Sequence, residues 1–404
     1  MREHVLVCIV SRMSADFVMD PILLSSIKEY AEKQLTYKEI SLLIRKTHNV
    51  DLSSNAIRKR LKRAGMPSRK GPTNHSENEV KIAIKELLSS LPHTVGYRQI
   101  TDHLRQRHVH VRRDTVMKTM RELDPIGVDF RRRRRIVRRL YRTCGPNHVW
   151  HVDGYDKLKP YGLAIHGCID GYSRKIMWLK VGPTNNDPRI VAHNYAQCVA
   201  DIKGCPMILQ SDPGTENVVI GALQCVLRHN STDCFSGIHS YRIVRSVFNQ
   251  RIEAWWSILR RQQSEWWISL FKDLATFGGF HRGNEYNMRC IRYCFIPTLQ
   301  HELNCLADRW NSHFISRSRQ AVCPNGRPIF LFSAPEETGF NDCLQRINED
   351  DIDFMFTQCH ESSRSGDRDF DRRARRIFQE NGWTDATCWQ DALQMYFAIV
   401  EMDI

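Results

Sequence analysis

Three carboxylates stand apart from the rest of this 404-residue chain by their local context. Asp153 follows the run His148-Val-Trp-His-Val152, Asp212 follows Met207-Ile-Leu-Gln-Ser211, and Glu253 stands in Asn249-Gln-Arg-Ile-Glu-Ala-Trp-Trp256. The first two runs read as buried strands that deliver an Asp at their C-terminal ends, and the third as a helix with a Glu in its first turns. Neighbouring carboxylates repel one another, and at least one is driven toward protonation unless a cation lies between them. Three of them can hold two divalent cations roughly 4 Å apart, which activates an attacking oxygen and stabilises a leaving oxygen in an in-line displacement at phosphorus. A ligand set of carboxylate oxygens suits Mg²⁺, with Mn²⁺ as a substitute.

Further text surrounds these acids. Ile169-Asp-Gly-Tyr-Ser-Arg174 falls on an expected second strand, Asp212-Pro-Gly-Thr-Glu216 follows an expected fourth, and Asn249-Gln-Arg-Ile-Glu253 opens a helix. With the acids in the order Asp-Asp-Glu, residues 145–265 resemble the integrase catalytic core shared by retroviral integrases and many cut-and-paste transposases. The resemblance implies an α/β RNase H-like core, a mixed five-stranded sheet flanked by helices, and the chemistry of DNA strand cleavage and joining. It makes Asp153, Asp212 and Glu253 the catalytic residues and the ligands of two Mg²⁺ ions.

The intervals are 59 residues from 153 to 212 and 41 from 212 to 253, the second longer than in the retroviral members. The extra length is assigned to Asn230–His239, a polar stretch that reads as a loop. The His-His-Cys-Cys zinc module that precedes the core in retroviral integrases has no counterpart. Glu216, Asp156 and Asp170 are competing acids near the site and are assigned structural roles. Ile252, Trp255, Trp256 and Leu259 form the apolar face of the expected helix, so the Trp pair is assigned to the core. Asn249 and Gln250 are expected to touch DNA, and the arginines of the same helix to lie near phosphate.

Elements ahead of the core would bring DNA to it. Thr36–His48 aligns with residues 96–108 at an offset of 60, and after one deletion Val50, Leu52, Ile57 and Leu61 fall opposite Val109, Val111, Val116 and Met120. Each unit reads as helix, short connection and helix, the pattern of a helix-turn-helix whose second helix enters the major groove. In the first unit Ser53 or Ser54 caps a helix with Ile57, Leu61 and Ala64 on one face, leaving Arg58, Lys59 and Lys62 for DNA. In the second, Val116, Met120 and Leu123 face inward, leaving Arg112, Arg113 and Lys118. Pro67–Pro72 reads as the linker between the units.

The run Arg131, Arg132, Arg133, Arg134 and Arg135, continued by Arg138, Arg139 and Arg142, is too charged to bury unpaired. It reads as a phosphate-tracking segment and equally as a nuclear import signal.

Composition fits this division of labour. A net charge of +14 favours a polyanionic partner, double-stranded DNA first. Val5–Val10, the opening apolar run, is too short to cross a bilayer, and no cleavage site follows it, so neither a membrane span nor a signal peptide is expected. The 14 cysteines lack paired spacing, as in a reducing compartment, and Cys290-x-x-x-Cys294 lacks the second half of a zinc site.

Trp310-Asn-Ser-His313 and Pro324-Asn-Gly-Arg-Pro328 with Ile329–Phe332 resemble the tail of animal transposon-derived integrase-core proteins, with no chemical role to be read from them. Helical patterns at Leu299–Trp310 and Asp369–Gln379 predict a mainly helical C-terminal region. The expected organisation is an N-terminal extension (1–20), all-α helix-turn-helix units (21–66 and 73–125), an arginine-rich linker (126–144), the catalytic core (145–265) and a C-terminal region (266–404). The expected function is that of a transposon-derived integrase or transposase, nuclear, acting on element ends and target DNA as a homo-oligomer. The alternatives are a domesticated DNA-binding protein without transposition activity and an RNase H-like nuclease that cleaves without joining.

Overall fold

A computed structural model describes residues 21–33, 35–66, 75–91, 95–107, 109, 111–133, 141–317 and 323–402. The repeat emerges as two three-helix units, each with one more helix than the sequence pattern suggests. The first holds α1 (Pro21–Glu32), α2 (Tyr37–His48) and α3 (Ser54–Arg63) around Ile27, Ile40, Leu43, Ile44, Ile57 and Leu61. The second holds α4 (Glu77–Ser90), α5 (Tyr97–Gln106) and α6 (Arg113–Leu123) around Val80, Ile84, Leu87, Ile100, Leu104, Val116 and Met120. Two short helices leave one side of such a cluster open, and the leading helix closes it.

Local capping fixes where these helices begin. The Ser53 hydroxyl accepts the Ala56 N–H at 3.1 Å, and Thr36 with Glu39 forms a reciprocal capping box. The proposed linker at Pro67–Pro72 lies outside the described residues. The segment read as an arginine-rich linker instead starts as a helix, α7 (Pro125–Arg133), so the backbone of Arg131, Arg132 and Arg133 is helical. Their side chains, and all of Arg134 and Arg135, lie outside the description.

The core sheet is the expected mixed, five-stranded one. Its strands are β1 (Val149–Tyr155), β2 (Ala164–Asp170), β3 (Ile176–Gly182), β4 (Ile208–Ser211) and β5 (Tyr241–Ile243), in the order β3-β2-β1-β4-β5. The first three pair antiparallel, whereas β4 and β5 add on parallel to β1. Side chains alternate along β1. Trp150 and Val152 pack with α8 (Pro188–Ile202) and α9 (Val218–Leu227), while Tyr155 packs on the other face with α10 (Gln250–Leu259).

The boundary expected at 265/266 is not a break. Helix α10 runs through a π-turn at Arg260–Ser264 directly into α11 (Glu265–Thr276). The 28-residue α12 (Glu285–Ser312), far longer than the Leu299–Trp310 pattern, shares one apolar cluster with β1, β2, α10, α14 (Arg368–Glu380) and α15 (Trp389–Met402). Its Gln300 bonds Val181 N and Leu179 O at 3.0 and 2.9 Å, and its Asn311 bonds Ile176 N and O at 2.8 and 3.1 Å.

The two tail motifs thereby gain structural roles. Trp310 donates to Arg174 O at 2.6 Å, tying α12 to the turn between β2 and β3. Helix α13 (Pro328–Ser333) carries Ile329 and Phe330 against the first three-helix unit, and Arg327 pairs with Glu39 at 2.9 Å.

Candidate active site

Parallel pairing of His151 with Gln210 puts Asp153 and Asp212 each two residues beyond a matched position. Asp212 follows the last residue of β4, as expected. Asp153 lies within β1 instead of at its end, because Gly154 and Tyr155 continue the pairing with β2 and the Tyr155 ring packs on Trp256 with centroids 5.3 Å apart. Glu253 sits in the first turn of α10, where its N–H donates to Asn249 O at 3.2 Å.

Trp256, three residues after Glu253, lies on the same side of the helix. Its Nε1 donates to Asp153 Oδ2 at 2.7 Å. The sequence reading placed this indole in the core, where it is, but missed the bond; the signal was the i, i+3 spacing from the Glu. Gly167 makes the approach possible. It pairs with Asp153 across the strands, and a Cβ there would come 2.8 Å from both Trp256 Cη2 and Leu179 Cδ2.

Burial pushes the Asp153 carboxyl up to about 7; the Trp256 hydrogen bond opposes this, and the charges of Asp212 and Glu253 reinforce it. Glu253 is raised by burial and then by Asp212. Asp212 Oδ2 accepts from the Ser246 hydroxyl at 3.4 Å, while its Oδ1 is buried without a partner. A buried, unpartnered carboxylate oxygen is costly.

These features fit a hard cation. The donors are all carboxylate oxygens, one oxygen lacks a partner, and two groups are held toward protonation by burial and one another's charge. Among the described residues no three His, Cys, Asp or Glu side chains are closed into a metal-holding group.

The competing acids are engaged elsewhere. Fully buried Asp170 accepts from Asn147 N at 2.8 Å and from Ser173 N and Oγ at 2.7 and 2.6 Å, which shapes the turn after β2. Asp156 accepts from Asn185 at 2.8 Å and Lys159 at 3.2 Å. Glu216 lies in a 3-10 turn and accepts from Asn217 at 3.4 Å.

Residues 140–330 match the sequence model of a family described as Integrase core domain. These residues carry a retroviral-integrase-like core. The match spans all three acids and runs on through α12. Integrase-like domains bind DNA and their family generally transfers polynucleotides, so the match over these residues suggests an integrase- or transposase-like function in nucleic-acid processing. No curated protein matches the chain.

The residues expected on DNA divide unevenly. Arg58, Lys59 and Lys62 are exposed on α3, and Arg112, Arg113 and Lys118 are exposed at the start of α6 and along it. Gln250 is half-buried at the first position of α10. Asn249 is a correction to the expected DNA contacts: it is fully buried, and its amide bonds His151 Nδ1 at 2.7 Å and Val152 O at 2.9 Å. Arg251 also turns inward, lying over the Tyr141 ring at 4.1 Å and donating to Cys323 Sγ at 2.9 Å. Among the described residues no helix is long and apolar enough to cross a membrane.

Proposed function

We propose that the chain is a transposon-derived integrase or transposase that cleaves DNA and joins the cut end to a target. The observation that carries this reading is the convergence of Asp153, Asp212 and Glu253, close enough to perturb one another, from two adjacent strands and the first turn of a helix. Asp153, Asp212 and Glu253 would hold two Mg²⁺ ions, which when bound supply activation of the attacking oxygen and charge stabilisation of the leaving one.

In cleavage, water attacks phosphorus and the bond to the 3′ oxygen breaks, leaving a free 3′-hydroxyl. In joining, that hydroxyl attacks a target phosphodiester and displaces its 3′ oxygen. Neither step needs a covalent bond to the protein. The three-helix units read element ends through α3 and α6, acting as helix-turn-helix modules. The arginine run tracks phosphate and serves nuclear import. Two ends must be held together, so the working form is a homo-oligomer.

The test is a strand-transfer assay with Mg²⁺ or Mn²⁺ on duplexes carrying the inverted repeats that flank the gene. Joined product is the expected result. Cleavage without joining would make the protein a nuclease of the same fold. Tight binding of these duplexes with neither product would make it a domesticated DNA-binding protein.

A further inference from the structure

His151 is fully buried two residues before Asp153, with both ring nitrogens engaged. Nδ1 lies 2.7 Å from Asn249 Oδ1, and Nε2 lies 2.7 Å from the Tyr141 hydroxyl. Asn249 uses its Nδ2 to donate to Val152 O, which leaves Oδ1 as an acceptor. The His151 proton therefore sits on Nδ1, and Nε2 accepts from Tyr141. Gln210 Nε2 approaches the same Nδ1 at 3.2 Å and donates to Phe248 O at 3.3 Å.

Each member of this group stands a fixed, short distance along the chain from one acid. His151 is two residues before Asp153, Gln210 is two before Asp212, and Asn249 is four before Glu253 at the N-cap of α10. Backbone pairing of His151 with Gln210 already aligns the chain two residues before Asp153 and Asp212, whereas Glu253 arrives on a separate element whose start follows an exposed 3-10 turn, Ser246–Phe248. An apolar side chain could fill the space of an imidazole at lower desolvation cost. A buried ring with two directed bonds instead sets position and angle, and active sites depend on placement to within about 0.5 Å.

We infer that His151 is a positioning residue that holds the start of α10, and with it Glu253, in register with Asp153 and Asp212, with Tyr141 as its outer brace. The inference rests on reading the three acids as one site, and it adds the device that assembles them.

The experiment compares the full chain with His151→Ala, His151→Asn and Tyr141→Phe. It reads hydrogen exchange at the amides of Glu253 to Trp256, Mn²⁺ affinity by calorimetry, and the thermal transition as a check on folding. His151→Ala is expected to keep a cooperative transition, to speed exchange at those amides about fivefold, as for one lost hydrogen bond, and to weaken Mn²⁺ roughly tenfold. His151→Asn keeps a donor near the Nδ1 position and should fall between it and the wild type.

Unchanged exchange in His151→Ala overturns the inference, as does unchanged Mn²⁺ affinity where the wild type binds the ion. If His151→Ala does not fold, Tyr141→Phe, which deletes one hydroxyl, carries the same test at smaller amplitude. Faster exchange in a protein whose wild type never binds Mn²⁺ would uphold the positioning role and sink the metal-dependent reading.

Discussion

Asp153 within β1 and Asp212 just past the end of β4 each stand two residues beyond the paired His151 and Gln210. Pairing at the spacing of adjacent strands, about 4.8 Å, fixes the backbone two residues before each acid, and Asp212 itself opens the turn in which Gly214 N donates to its carbonyl at 2.9 Å. Glu253 comes from outside the sheet, so its placement depends on side-chain bonding.

Replacing Asp153 by Asn, Asp212 by Asn or Glu253 by Gln should each lower cleavage and joining by at least roughly a thousandfold while DNA affinity stays nearly intact. The basic residues assigned to DNA lie elsewhere, which is why binding should survive. Product gels and filter binding on the same preparations check both halves. Glu216→Gln is the control: loss of activity there, with Glu253→Gln active, would move the third acid to 216.

Metal should stabilise the protein more in alkali than in acid. Burial, aided by the neighbouring acids, lifts Asp153 from 3.8 to about 7. A raised carboxyl favours the folded state while protonated, so its contribution is greatest below pH 3.8 and declines as pH rises through about 7. A bound cation must displace that proton. Melting curves should therefore show a larger Mn²⁺-induced rise at about pH 8 than at about pH 5.5, and the difference should vanish in Asp153→Asn. Equal rises in the wild type would take Asp153 out of the metal site.

Gly167→Ala should disturb the site from the neighbouring strand. The added methyl group meets Trp256 and Leu179, and overpacking of this kind costs about 1–3 kcal/mol. Urea unfolding measures the loss, and the indole N–H resonance of Trp256 should move as its bond to Asp153 is strained. Ile84→Val in the second three-helix unit, costing about 1 kcal/mol, should leave that resonance in place. An unmoved resonance in Gly167→Ala would show that the indole does not depend on the glycine.

Base reading and charge attraction should separate by salt titration. Arg58→Ala or Arg113→Ala is expected to weaken binding to cognate ends by about 1–3 kcal/mol with little change on scrambled duplex. Joint replacement of Arg131 to Arg135 should weaken both and flatten the salt dependence. Equal losses on both duplexes for Arg58 and Arg113 would reduce the N-terminal units to non-specific clamps, and an unchanged salt slope for the arginine run would leave nuclear import as its role.

Much of this architecture was legible because it is local. The apolar runs before Asp153 and Asp212 show two strands, the Asn249–Trp256 segment shows the helix, and the 60-residue offset shows the repeat. What escaped is long-range. Asn249 looks like a surface polar residue at a helix start until the fold buries it beside His151, 98 positions away in sequence. Trp256 reads as core by its spacing, and its bond to Asp153 joins residues 103 positions apart, so the i, i+3 relation to Glu253 was the one local sign of it. The contacts of the region after 265 with the sheet were hidden for the same reason, since the bonds from Gln300 and Asn311 to β3 join residues more than a hundred positions apart.

Those last bonds carry a consequence for assembly. A strand at the border of a sheet ordinarily offers unpaired N–H and C=O groups, an invitation to pair with another chain. On β3, Gln300 and Asn311 have already taken these groups at Ile176, Leu179 and Val181. Two copies meeting at paired DNA ends would thus find no backbone to share at these positions. Edge-to-edge pairing through this border is thereby blocked at three of its residues, and α12 takes the place that another chain's strand would occupy there.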